Sequence, residues 1–245
     1  MSFTSLLLMM VVVFIAAIVQ STSGFGFGIV CMAVLPIIIP YKEATVLVLV
    51  TCLFLQLITV IRLRHYIRWS IIVLPAVGAI ICGAISVRLM LGLSETVMHF
   101  ILGIFLWILA LYLMLIAPKV KLTSHNPLVG LLAGSIGGFM DGMFTIGGPP
   151  MVAYFDSIVE EPKVYQASLQ VYFMLTTVNV IINNILCGNF TKALIQPACF
   201  TLTACFIGTM VGIKILDRIS MTVVRKLAYL VMMVAGTYNL IKIFW

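Results

Sequence analysis

The sequence predicts an all-α, polytopic integral membrane protein, and three observations carry that prediction. Of 245 residues, 63% are hydrophobic and only 9% are charged, whereas a soluble domain has about 25% charged side chains. Mean hydropathy is +1.26. The apolar residues also fall into runs long enough to cross a bilayer, which takes about 20 residues. So little polar surface excludes a soluble enzyme, a nucleic-acid-binding domain, a disordered regulator and a secreted disulfide scaffold. The net charge of +7 is scattered through short gaps between apolar runs and is not gathered on one face for nucleic acid. The expected partners are the lipid bilayer and a small solute, with no nucleic acid; monomer and homodimer both stay open.

The first apolar run, residues 5–40, would reach roughly 54 Å as one helix, too long for a ~30 Å hydrocarbon core. The stretch from Gln20 to Gly28 (QSTSGFGFG) interrupts it, so two short helices are expected, over 5–20 and 26–40. Three full helices follow, over 43–61, 70–90 and 96–117. The second half repeats that order. Residues 127–159 are broken around Asp141 to Pro150 and are followed by 163–186, 193–216 and 222–244. A shift of 121 places Ala17 on Gly138, Gln20 on Asp141, Gly26 on Gly147 and Lys42 on Lys163. Near the ends a shift of 126 places Arg88 on Lys214, Ser94 on Ser220 and Tyr112 on Tyr238. The expectation is one transmembrane domain over 1–245, built of two four-segment repeats, 5–117 and 127–244.

Charge decides how the broken segments enter the membrane. If each crosses once, the 14 Lys and Arg residues divide seven against seven. If each doubles back as a hairpin, ten share one side: Arg62, Arg64, Arg68, Lys119, Lys121, Lys163, Lys214, Arg218, Arg225 and Lys226. The other side keeps Lys42, Arg88, Lys192 and Lys242. Only the hairpin arrangement obeys the positive-inside rule. The repeats are then inverted, the hairpins enter from opposite faces of the cytoplasmic (inner) membrane, and both termini are external. The N-terminal stretch lacks a basic leader region and is read as structure.

Irregular backbone inside a membrane survives where protein or a cavity solvates it, and opposed broken helices are where many transporters hold their substrate. Helix N-termini with free amides attract anions. The expected binding residues are therefore Gln20, Ser21, Thr22, Ser23, Gly24, Phe25 and Gly26 at the first break, and Phe144, Thr145, Gly147, Gly148 and Pro149 at the second. Phe25, Phe27 and Phe144 would wall the site from lipid. The guest is a small anion that needs no buried lysine or arginine.

These two motifs, QSTSGFGFG with Pro36 and the Gly134–Pro150 stretch GSIGGFMDGMFTIGGPP, resemble the sulfite exporter TauE/SafE family, also called the toluene sulfonate uptake permeases. Segment count and length extend the resemblance over essentially the whole chain. It implies transport of sulfite, sulfonates or related sulfur-containing organic anions. Thr145 departs from the family pattern, in which many members have glycine, and narrows the second break.

Asp141 is the only acid well inside an apolar segment, a costly and usually functional placement. It is expected to bind a coupling proton or to orient the pocket. Gln56, Gln170 and Asn179 are candidates for lining the cavity. The glycines at 130, 134, 138 and 142, and at 208 and 212, recur every four residues, a spacing for close helix packing. Cys31, Cys52, Cys82, Cys187, Cys199 and Cys205 include no CxxC pair, so neither metal nor cofactor is expected. His65, His99 and His125 are expected singly at the membrane interface, and the arginines from 62 to 68 at lipid headgroups. No nucleotide-binding motif and no catalytic histidine, HExxH or aspartate pair is present, which disfavours an ATP-driven pump and an intramembrane enzyme. The leading function is a secondary anion transporter working by alternating access, with proton coupling through Asp141 as an expectation to test; an anion channel or a non-transporting assembly subunit is the alternative.

Overall fold

A computed structural model describes residues 3–116, 126–191, 194–215 and 221–242. Among these, every regular element is helical. The first half comprises α1 (Phe3–Ser23), α2 (Phe27–Ile38), α3 (Tyr41–Leu63), α4 (Trp69–Gly92) and α5 (Glu95–Leu111), which runs on through a π-helical turn over Tyr112–Ile116. The second comprises α6 (Pro127–Phe144), α7 (Gly148–Ile158), α8 (Pro162–Leu186), α9 (Ile195–Ile215) and α10 (Met221–Ile241). Seven helices among the described residues, α1, α3, α4, α5, α6, α8 and α9, are long and apolar enough to span a membrane. A broken helix followed by three helices thus occurs twice, as the sequence predicts.

Glycine contacts fix the helix directions. Gly134 packs on Pro75, Gly138 on Ala79 and Gly142 on Gly83 and Ser86, so α6 runs parallel to α4. Gly208 packs on Phe14 and Ala17, and Gly212 on Ile18 and Ser21, so α9 runs parallel to α1. Within the second break, Gly137 meets Gly147 and Met151, while Gly130 meets Tyr154; α7 therefore turns back along α6. Close approach of this kind needs small residues, because lipid tails supply no hydrophobic drive between helices.

Polar contacts then sort the helix ends. At the face where α1 begins, Lys242 Nζ donates to Pro36 O (3.3 Å) and Tyr41 N–H to Glu95 Oε2 (3.0 Å). Lys42 Nζ donates to Leu91 O (2.9 Å) and Asn189 Nδ2 to Lys42 O (3.4 Å). The ends of α2, α4, α8 and α10 and the starts of α3 and α5 share this N face. At the opposite face Lys163 Nζ donates to Tyr66 OH (3.3 Å) and sits 5.0 Å from its ring centroid. Both breaks are hairpins: one enters and leaves by the N face, the other by the opposite face. Their return legs have 12 and 11 residues, roughly 17 Å each, about half of a ~30 Å core.

The described cations follow the expected division. Arg62, Arg64, Arg68, Lys163 and Lys214 belong to the opposite face, and Lys42, Arg88 and Lys242 to the N face. Lys119, Lys121, His125, Lys192, Arg218 and Ser220 lie outside the described residues, as do the side chains of Arg225 and Lys226. One apolar cluster, containing Phe27, Tyr41, Met90, Leu102 and Phe144, joins the first hairpin to α3, α5 and α10. A second, containing Ile72, Phe155 and Tyr172, joins α7 to α4 and α8.

One expectation fails here. His99 is not a solitary interfacial residue but is 6% exposed. Its Nδ1 is 2.6 Å from Asn239 Oδ1 and its Nε2 3.3 Å from Lys242 Nζ. The partners come from the far end of the chain, so local sequence gives no sign of them.

Candidate functional site

The first bend is built by glycine. Gly24 (φ 80°) and Gly26 (φ 108°) take left-handed conformations that cost residues with a Cβ about 1–2 kcal/mol. Gly24 N–H donates to Gln20 O (2.8 Å), closing α1. The first amides of a helix have no intrahelical acceptor. At the start of α2, Phe27 N–H donates to Gln20 Oε1 (3.0 Å), and the amides of Gly28 and Ile29 are the remaining donors of that first turn.

Three hydroxyls expected to face a ligand do something else. Ser21 Oγ donates to Ala17 O (2.7 Å), Thr22 Oγ1 to Ile18 O (2.9 Å) and Ser23 Oγ to Val19 O (2.6 Å). Back-bonding of this kind satisfies each hydroxyl within its own helix. It carries α1 through Ser23, three residues past the expected end, and leaves Ser21, Thr22 and Ser23 outside the cavity lining.

The second bend repeats the geometry. Thr145 is the non-glycine residue with a positive φ (58°) among those described, and its N–H donates to Asp141 O (2.7 Å). Gly147 precedes α7 as Gly26 precedes α2. Pro149 and Pro150 occupy the first turn of α7 and carry no N–H. This end therefore offers fewer amides than the first, and Pro149 is buried outside the cavity lining.

The bends touch. A Cβ placed on Gly28 would overlap the Thr145 carbonyl oxygen, and one on Gly148 would stand 3.6 Å from Phe25. Between the bends lies a cavity of about 40 Å³, where roughly 10–15 Å³ seats one water. Its lining takes Gln20, Phe25, Gly26, Gly28 and Ile29 from the first hairpin and Asp141, Thr145, Ile146, Gly147 and Gly148 from the second. Cys52 and Gln56 of α3 and Phe173 and Thr177 of α8 complete it.

Among the described residues, no lysine or arginine lines the cavity. Asp141 is 8% exposed, with the Gly147 amide and the Thr176 hydroxyl beside its carboxylate. Among the described residues, Asp141 Oδ2, Gln56 Oε1 and Thr145 Oγ1 are buried without a hydrogen-bond partner. Buried polar groups are ordinarily bonded, so three unpartnered atoms on residues lining one small cavity mark it for a polar guest. Gln56 Nε2 donates to Thr177 Oγ1 (3.0 Å) and to Cys52 Sγ (3.2 Å).

Other expected residues hold the bends in place. Gln170 Nε2 donates to Gly24 O (2.8 Å), tying the first bend to α8 without lining the cavity. Asn179 Nδ2 donates to Ile80 O (3.1 Å), fastening α8 to α4. Phe144 stacks on Phe105 at 4.2 Å and 15° within the apolar cluster, and Phe27 is fully buried there. The sequence reading missed Gly28, Ile29, Cys52, Ile146, Phe173 and Thr177. A usable signal existed: Cys52 and Phe173, like Gln56 and Thr177, stand 121 positions apart.

The family described as Sulfite exporter TauE/SafE matches residues 9–239, a span that contains both bends and every residue lining the cavity. A curated relative, "Probable sulfite/organosulfonate exporter TauE" of Cupriavidus necator, is 23% identical over 224 residues, covering 89% of this chain and 86% of the relative. No solved structure matches. The chain belongs to the sulfite exporter TauE/SafE family of membrane transporters.

Proposed function

We propose that this protein is a secondary transporter that carries sulfite or a small organosulfonate across the cytoplasmic membrane by alternating access around the cavity between the two bends. The observation that carries the reading is the contact of the two bends around unpartnered polar atoms of Gln56, Asp141 and Thr145. The Gly28 and Ile29 amides, at the positive end of the α2 dipole, supply anion donors. The Thr145 hydroxyl supplies another, as does the Gln56 side-chain amide if turned, since its O and N assignment follows from the hydrogen-bond network. Sulfite, with four heavy atoms, suits the size of the cavity.

Asp141 gives the site its proposed coupling. A carboxylate about 4 Å from a bound anion would oppose it by roughly 4 kcal/mol at an effective dielectric of 20. Protonation removes that repulsion and turns the group into a donor, so anion and proton occupy the site together. Residues 5–117 and 127–244 act as inverted repeats, and the positive-inside rule makes the arginine-rich face cytoplasmic and both termini external. Exchange between inward and outward access then amounts to rocking one hairpin bundle against the other.

Uptake of labelled sulfite into proteoliposomes tests the reading. Saturable flux that increases as pH falls supports a carrier. Non-saturating conductance would assign the protein to the channels instead.

A further inference from the structure

A second cavity lies at the N face, clear of both bends. It measures about 480 Å³, within the roughly 300–1,000 Å³ usual for small-molecule sites. One wall is apolar: Ile37, Ile38, Ile39 and Pro40, where the first hairpin returns to the surface. The facing wall is polar: Glu95, Thr96 and His99 at the start of α5, with Lys242 beyond the end of α10.

Bonds order the polar wall, and among the described residues they leave its cation without a carboxylate in direct contact. Asn239 Nδ2 donates to Ala235 O (2.8 Å), which turns Asn239 Oδ1 towards His99 Nδ1 at 2.6 Å. Nδ1 is therefore the donor, and Nε2 of the neutral ring accepts from Lys242 Nζ at 3.3 Å. The other acceptor for Lys242 is Pro36 O, also at 3.3 Å. Both are neutral, and among the described residues no carboxylate stands within 4.0 Å of Lys242 Nζ. An ammonium has three donors, so one is left for the cavity. Glu95 accepts from Tyr41 N–H and lies 3.9 Å from His99 Nε2, which disfavours a guest with a second negative charge.

We propose that this cavity binds an amphiphilic monoanion, its oxyanion head on Lys242 Nζ and its alkyl body along Ile37–Pro40. An alkylsulfonate solute and an anionic phospholipid share that chemistry. The site uses none of the residues of the central cavity and stands or falls apart from the transport reading.

The test titrates full-length protein in phosphatidylcholine nanodiscs with hexanesulfonate, too bulky for the central cavity, and with methanesulfonate, which lacks the alkyl body. Hexanesulfonate binds at least tenfold tighter to wild type than to Lys242→Gln, and Asp141→Asn leaves that affinity unchanged. Ile38→Gln weakens hexanesulfonate alone and provides a second variant should Lys242→Gln fold poorly. In phosphatidylglycerol discs, retained affinity assigns the site to the solute, and Lys242-dependent competition assigns it to the lipid. Equal affinity in wild type and both folded variants, or loss of binding in Asp141→Asn, overturns the proposal.

Discussion

Gln56 and Thr177 stand 121 positions apart in the sequence and hydrogen-bond to each other across the cavity at 3.0 Å. In the proposed inverted repeats, corresponding residues meet in this way on the axis that relates them. Gly24 and Thr145, Gln20 and Asp141, and Gly26 and Gly147 keep the same offset and play matching parts in the two bends. Thr177→Val removes the hydroxyl that holds the Gln56 side-chain amide in place. Interhelical bonds in membranes contribute about 0.6 kcal/mol, so the melting temperature should barely move. A lost hydrogen bond to a charged guest costs about 1.5–3 kcal/mol, so KM for sulfite should increase tenfold or more in proteoliposome flux.

Gly28 is the position where the hairpins have no room to spare, since any Cβ meets the Thr145 carbonyl. Gly28→Ala should destabilise by about 1–3 kcal/mol through overpacking and abolish flux. Gly92, the last residue of α4, has nothing within 4 Å of an added Cβ. Gly92→Ala should leave flux intact and change stability by less than about 1 kcal/mol. Thermal unfolding in detergent, paired with uptake, separates the two.

Thr145 carries a left-handed backbone at φ 58°, a strain of about 1–2 kcal/mol for a residue with a Cβ. Thr145→Gly relieves it while adding freedom to the unfolded chain. Stability should stay level or increase by up to about 1 kcal/mol, yet sulfite affinity should fall because the hydroxyl is gone. Thr145→Ser keeps the hydroxyl and should bind as wild type does. Calorimetric titration of the three proteins with sulfite checks the order.

For Asp141, the charged carboxylate opposes the anion and the protonated form assists it, so wild-type flux should increase as pH falls. Asp141→Asn stays neutral at every pH. Its sulfite binding should persist and lose that dependence, and a proton gradient should no longer drive accumulation. Flux profiles with and without an imposed gradient decide the point; an unchanged profile in Asp141→Asn removes the coupling role.

The architecture is legible in this sequence because apolar runs, glycine breaks and cation placement each act through the bilayer, which leaves few alternatives. Detail at the bends is less so. Ser21, Thr22 and Ser23 look like ligand donors, but each hydroxyl reaches its own helix carbonyl a turn back, and Gln20 caps Phe27 seven residues on. Cys52, Phe173 and Thr177 sit in ordinary apolar helices and are found only by carrying the repeat offset beyond the motifs. The setting of His99 depends on Asn239, 140 residues away, a distance no local pattern spans.

Selenite is a heavier analogue of sulfite, and its anomalous scattering places the bound anion directly. A single strong peak between the Gly28–Ile29 amides and Thr145 is the result expected of crystals soaked in selenite. Occupied selenite sites found only elsewhere, with this cavity holding none, would contradict the assignment of the two bends as one anion site.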